Sequence, residues 1–241
     1  MTTASSREIQ EAGLSVIRTL RESSDPARIR KATTYFSTSM EVAGVANPEL
    51  RRLIKQLRGR HSGWKEGDWI TLCKFLVAER LFESQIMAFE LLAGNRKLLR
   101  HLSLTDLDGL MLRLDNWASV DHFSVGVYGV LWRIGTVTDG HVERLISSDD
   151  PWKRRVAAVS TVALNQRSRG GTGDTARTLH VCGKLAGDPH PMVRKALSWA
   201  LRELSKRDPS SVSHFVETHR HDLANFIIKE VTHKLRFGTK N

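Results

Sequence analysis

Apolar residues recur along this chain at intervals of three and four, the spacing that gathers them on one face of an α-helix. Residues 6–22 (SREIQEAGLSVIRTLRE) set Ile9, Leu14, Ile17 and Leu20 in that pattern. Residues 48–58 (PELRRLIKQLR) carry a start signal, with Asn47 as the expected cap and Pro48 at the first helical position. Shorter amphipathic runs follow at 68–78, 83–93 and 105–114. Residues 123–134 (FSVGVYGVLWRI) are the most strand-like stretch, since Val125, Val127 and Val130 are β-branched. Their neighbours are helical and no partner hairpin exists, so the segment reads as a buried helix containing two glycines. The pattern predicts an all-α fold.

Two later segments align with each other. Residues 151–163 (PWKRRVAAVSTVA) and 191–203 (PMVRKALSWALRE) both open on Pro, with Asp150 and His190 as the expected N-caps. Each then carries a basic pair in the same register, Arg154–Arg155 and Arg194–Lys195, at an offset of 40 residues. That period suits two-helix HEAT-type repeats, which stack into a curved solenoid. The expected architecture is a single domain over 1–241, a right-handed α-solenoid of HEAT-like repeats with a concave basic face. Residues 1–27 would form an N-terminal helix or cap, 28–235 the repeats and 236–241 a tail. A Pro-initiated helix with a basic first turn points backbone N–H groups and cations the same way, a natural seat for phosphate. The segment 167–173 (RSRGGTG) reads as a flexible linker, because no Lys-Ser/Thr follows its glycines as a phosphate-binding loop would require.

Charge sharpens this picture. The 241 residues carry a formal net charge of +11. Residues 1–151 hold 20 Lys/Arg against 19 Asp/Glu, whereas residues 152–241 hold 17 against 7. A basic half joined to a neutral half points to a polyanionic partner, nucleic acid ahead of a membrane surface. No apolar run approaches the ~20 residues of a membrane span, and the N-terminal residues lack a signal-peptide core. Cys73 and Cys182 are the only cysteines, which excludes a disulfide scaffold and a cysteine-based zinc site. A reducing cytoplasm is the expected setting.

The chain has six tryptophans and two tyrosines. Trp64, Trp69 and Trp132 lie in apolar contexts and read as core. Trp117 and Asp121 are four apart, as are Lys195 and Trp199, so each pair shares a helix face. Trp152 and Arg155 are three apart. Aromatic faces beside cations and one carboxylate suit a nucleic-acid strand, a sugar or a cationic base. His122 adjoins Asp121, but neighbours on a helix point about 100° apart, so it reads as facing elsewhere. His214, His219 and His221 lack the acidic or thiolate companions of a metal site.

Three strings in order, NWASVD at 116–121, DDPWKRRVAA at 149–158 and VRKALSWALRELSKRDP at 193–209, resemble the AlkD-like family of DNA alkylation repair enzymes, the alkylpurine DNA glycosylases. Weaker matches at 44–55 and 78–92 extend the likeness over about residues 28–235. The resemblance implies a HEAT-like solenoid that excises N3- and N7-alkylated purines from double-stranded DNA as a monomer, without metal or cofactor. It places the catalytic aspartate on Asp121, the tryptophans on Trp117 and Trp199, the arginine on Arg155 and a tyrosine on Tyr35. Asn116 and Ala118 stand where some members carry a second aromatic and an acid. Lys153, Arg154, Arg194, Lys195 and Arg202 are the candidate DNA-backbone contacts.

These residue types suit that chemistry. Alkylation at N3 or N7 makes the purine cationic, so it departs as a neutral molecule and needs little protonation. Positive charge then gathers on the deoxyribose, where one carboxylate stabilises it. Glycosidases with poor leaving groups need a second carboxyl as acid; here one suffices. The resemblance further implies recognition of the lesion from the backbone side, unlike enzymes that extrude their target base. Two other readings remain: a non-catalytic solenoid that binds distorted DNA, and a protein-interaction solenoid, whose DNA affinity would be weak and insensitive to salt.

Overall fold

The structure, a computed structural model, describes residues 3–239; positions 1–2 and 240–241, at the ends of the N-terminal segment and the tail, lie outside them. The regular elements among the described residues are helical, apart from one isolated parallel bridge between Glu41 and Leu81. None of these helices is long and apolar enough to cross a membrane. The chain divides into two compact units, Met1–His122 and Phe123–Asn241.

The first unit contains α1 (Ser6–Glu22), α2 (Pro26–Tyr35), α3 (Asn47–Arg60), α4 (Glu66–Ala78), α5 (Phe82–Ala93), α6 (Arg96–His101), α7 (Leu104–Met111) and most of α8 (Trp117–Phe123). Its core lies where α4 and α5 pack together, with Leu72, Leu76, Met87, Leu91 and Leu92 wholly buried. Helix α2 is the exception, since it has no buried residue. The start of α3 falls one position earlier than its sequence suggests. Ala46 is the extended cap, Asn47 is already helical and Pro48 comes second. Proline fits either position, because neither N–H is used by the helix. The run 105–114 stops being helical at Met111, and the residues after it lead into the start of α8. Trp64 is half-buried rather than core: its ring lies 4.1 Å from that of His61 and its Nε1–H donates to Glu8 at 2.9 Å. An indole whose polar edge finds a surface carboxylate has no need of full burial.

The second unit opens on a π-helical stretch, Ser124–Tyr128, which leads into α9 (Gly129–Arg133). The reading of this region as a buried helix with two glycines holds; the wider π turn is additional. Then come α10 (Asp139–Ile146), α11 (Pro151–Asn165), α12 (Thr175–Lys184), α13 (Pro191–Leu204), α14 (Pro209–Thr218) and α15 (Asn225–Phe237). Helix α11 is buried without interruption from Arg155 to Asn165, enclosed by α13, α9 and the π stretch. Gly129 makes the closest approach possible: a Cβ there would lie 2.5 Å from the Ser160 carbonyl oxygen. Both predicted caps are in place, with Trp152 N–H donating to Asp150 at 2.9 Å and Met192 N–H to His190 at 3.3 Å.

The segment 167–173 is a tethered turn and not a flexible linker. Arg207 donates to the Asn165 and Gly171 carbonyls at 2.8 and 3.1 Å, and Arg133 to the Arg169 carbonyl at 3.0 Å. Gly171 is itself buried, and a Cβ there would meet the Leu164 carbonyl at 2.6 Å. Cys73 and Cys182 are free and buried, and burial pushes each thiol up to about 12.

Gly129 and Gly109 give opposite expectations. Gly129→Ala should cost about 2–3 kcal/mol of stability by overpacking α9 against α11. Gly109→Ala, in α7 with open space around it, should be neutral or stabilise by up to about 1 kcal/mol. Urea denaturation midpoints of the two variants measure the difference.

Candidate active site

In the first unit, the site is built around the start of α8. Asn116 is fully buried, and its side-chain oxygen accepts the Ser119 N–H at 2.9 Å, which is the N-cap arrangement. Its amide donates to the Ser119 hydroxyl at 3.1 Å. Capping fixes where the helix begins and so which way Trp117 and Asp121 project, one turn apart on the same face. The Trp117 ring meets Tyr35 edge-on, with centroids 5.1 Å apart at 79°, and Phe36 at 6.3 Å and 83°. Asp121 is half-buried and His122 exposed, with His122 Nδ1 3.0 Å from the Ala118 carbonyl.

Asp115 joins this helix start to the segment after α2. Its carboxylate accepts the Thr38 hydroxyl at 2.7 Å, the Ser39 N–H and hydroxyl each at 2.6 Å, and the Asn116 amide at 3.1 Å. Burial pushes this carboxyl up, but hydrogen bonds from Ser39, Thr38 and Asn116 outweigh burial and hold it below the usual carboxylate range. Arg80, at a positive φ of 54°, grips Ser39 as well, donating to its carbonyl at 3.2 Å and its hydroxyl at 2.9 Å. Glu83, buried, accepts the Ala43 and Gly44 N–H groups at 2.9 and 2.7 Å.

In the second unit, the paired helices α11 and α13 carry the other candidates. Arg155 is 5% exposed and donates Nη1 to the Met192 carbonyl in the first turn of α13. Arg154 donates Nε to Asp188 at 2.6 Å and Nη1 to the Ser148 carbonyl at 2.8 Å. Arg194, its partner in the repeat, donates to the Asp188 carbonyl at 2.6 Å. Both arginines therefore reach back six residues to the same turn position, so the repeated basic residue serves as a latch on its own repeat. Arg202 is held by Ser198 at 3.1 Å and lies 3.5 Å from Glu230. Lys153 and Lys195 are exposed. Trp199 is half-buried, one turn beyond Lys195, and Trp152 packs edge-on against His190 at 5.9 Å.

Trp117, Asp121 and Tyr35 thus belong to the first unit, and Tyr35 and Trp117 are in contact there. Arg155, Trp199 and the candidate backbone contacts belong to the second. Sequence reasoning missed Asp115 and Asp188, acids whose partners lie far along the chain. Against this geometry, the family model for "DNA alkylation repair enzyme" matches residues 16–235. The chain belongs to that family. A solved structure of a predicted DNA alkylation repair enzyme from Enterococcus faecalis has the same fold, with a TM-score of 0.69 at 19% identity, over 87% of this chain and 95% of that one. A search of curated proteins finds no match. Membership of the DNA alkylation repair family makes DNA the substrate class and repair the role.

The latch predicts a clear contrast. Arg154→Ala leaves Asp188, whose side chain is 4% exposed, without its cation and should cost about 3 kcal/mol. Lys153→Ala, on the adjacent exposed position, should change stability by less than about 0.5 kcal/mol. Chemical denaturation of both variants tests this.

Proposed function

We propose that this member of the family is a DNA glycosylase that hydrolyses the N-glycosidic bond of cationic N3- or N7-alkylated purines in double-stranded DNA. The observation that carries the reading is the Trp117–Asp121 face of α8, with Trp117 braced by Tyr35, in a chain of the DNA alkylation repair family. Asp121 stabilises positive charge as it develops on the deoxyribose and positions the attacking water. Trp117 and Trp199 stack on the sugar–phosphate strand and favour its cationic character. The family resemblance assigns a phosphate beside the lesion to Arg155; buried and donating to the Met192 carbonyl, it braces the first turn of α13. The leaving base is already charged, so its departure requires no second carboxyl as acid. The proposed reaction uses water and no Schiff base, so the strand stays uncut after base loss.

Lys153 and Lys195 are the proposed phosphate contacts on the ground of their exposure. Arg154, Arg194 and Arg202, with protein partners already, shape that surface. The enzyme works as a monomer in the cytoplasm.

Single-turnover release from a duplex carrying 7-methylguanine tests the catalytic assignment. Asp121→Asn is expected to slow release by about a hundredfold or more while binding duplex as the wild type does. Release at the wild-type rate contradicts it, and binding by the wild type with no release at all favours the non-catalytic reading. Each of Lys153→Ala and Lys195→Ala should lower the slope of log affinity against log salt by about 0.9. A titration at several ionic strengths reads that loss, and unchanged slopes remove both residues from the DNA contact.

A further inference from the structure

We infer that Asp115 is a positioning residue: its carboxylate locks the segment after α2 onto the start of α8 and so sets Tyr35 against Trp117. The inference deepens the proposed function and its kinetic half rests on that reading, but its structural half stands without it.

Four donors fill the two carboxylate oxygens. Oδ1 accepts the Thr38 hydroxyl and the Asn116 amide, and Oδ2 accepts the Ser39 N–H and hydroxyl. The tie therefore joins points 76 and 77 positions apart in the chain. At one end it lies two residues before Trp117, and at the other three and four residues after Tyr35. These short lever arms matter because Tyr35 has little else to place it. Its side chain is 71% exposed, and α2, which ends on it, buries no residue. The tyrosine ring goes where the following backbone carries it.

That backbone is held at several points. Phe36 packs on Phe82 with centroids 4.7 Å apart and meets Trp117 edge-on at 6.3 Å, Glu41 N–H donates to the Arg80 carbonyl at 2.9 Å, Arg80 bonds Ser39 from one side, and Asp115 bonds Ser39 and Thr38 from the other. Of these, Asp115 alone is also part of the chain that starts α8. It adjoins the cap residue Asn116 and bonds its amide. The same carboxylate thus fixes the loop that carries Tyr35 and the cap that aims Trp117 and Asp121. Charge is needed as well as shape: an amide at this position keeps one acceptor oxygen but turns an NH2 group toward hydroxyl and N–H donors.

Asp115→Asn is the test, with Asp106→Asn as control. Asp106 is a structural carboxylate of the same unit, bonded to the Ser103 N–H and hydroxyl and to Lys74. With 5-fluorotryptophan incorporated, the Trp117 fluorine resonance is identified by its loss in Trp117→Phe. It is expected to shift in Tyr35→Ala and in Asp115→Asn and to stay in place in Asp106→Asn. A Trp117 resonance unmoved in Asp115→Asn overturns the inference. Should Asp115→Asn fail to fold, the pair Thr38→Ala/Ser39→Ala removes two donors and leaves the acid. The same shift is expected there, and its absence overturns the inference equally. In the kinetic arm, Asp115→Asn lowers the single-turnover release rate about tenfold with duplex affinity unchanged, and costs little more in a Tyr35→Ala background. Equal losses in both backgrounds overturn action through Tyr35. Wild-type release by Asp121→Asn instead strikes the glycosylase reading, and the fluorine shifts still decide the role of Asp115.

Discussion

An all-helical chain leaves backbone N–H and C=O groups unsatisfied at every helix end and along every connection, and these groups must find partners elsewhere. Much of this structure follows from how a few charged side chains supply them. Glu83 takes the N–H groups of Ala43 and Gly44, Asp115 that of Ser39, and Asp188 that of His190. Arginines cover the carbonyls: Arg154 and Arg194 at the turns before α11 and α13, Arg207 and Arg133 around the glycine turn. These bonds tie the connections to the helices they join. One of them, at Asp115, sets an exposed tyrosine, on a helix with no buried face, beside Trp117.

The same constraint bears on the basic surface. The charge of the second half is real, but part of it is taken up in building the fold. Arg154 is paired with Asp188, Arg155 is buried against α13, and Arg202 is tied to Ser198. The exposed lysines 153 and 195 are the better candidates for meeting a phosphate strand, since a solvated cation can displace counterions from DNA without breaking the protein's own bonds. In the proposed reaction the fixed groups and the exposed ones then divide the work. Lysines attract the duplex, and Asp121 and the tryptophans act at the sugar.

What could be read from the sequence was what is local. Most helix spans, the 40-residue offset of the two Pro-initiated helices and the caps Asp150 and His190 depend on neighbours within a turn, and they stand in the structure. The cap before Pro48 was misplaced by one position because proline tolerates either of the first two. The π turn at Ser124–Tyr128 left no trace in the pattern; Gly129 is visible, but not the packing of α9 on α11 that it permits. The basic pairs announced charge without announcing partners, since Asp188 lies 34 residues from Arg154. Asp115 was equally silent. Its bonds reach hydroxyls more than 70 residues away. Trp117, Asp121, Arg155, Trp199 and Tyr35 are assigned through the resemblance of the chain to the family; of these, Tyr35 and Trp117 are in contact in the structure.

In the proposed reaction the alkylated purine leaves DNA as an intact base. Mass spectrometry of the small molecules released when the protein acts on methylated duplex DNA is the test. Free 3-methyladenine or 7-methylguanine is expected above the level released without protein, with an abasic site left in an unbroken strand. An unmodified purine restored within the strand, or no free base beyond the spontaneous level, would contradict it.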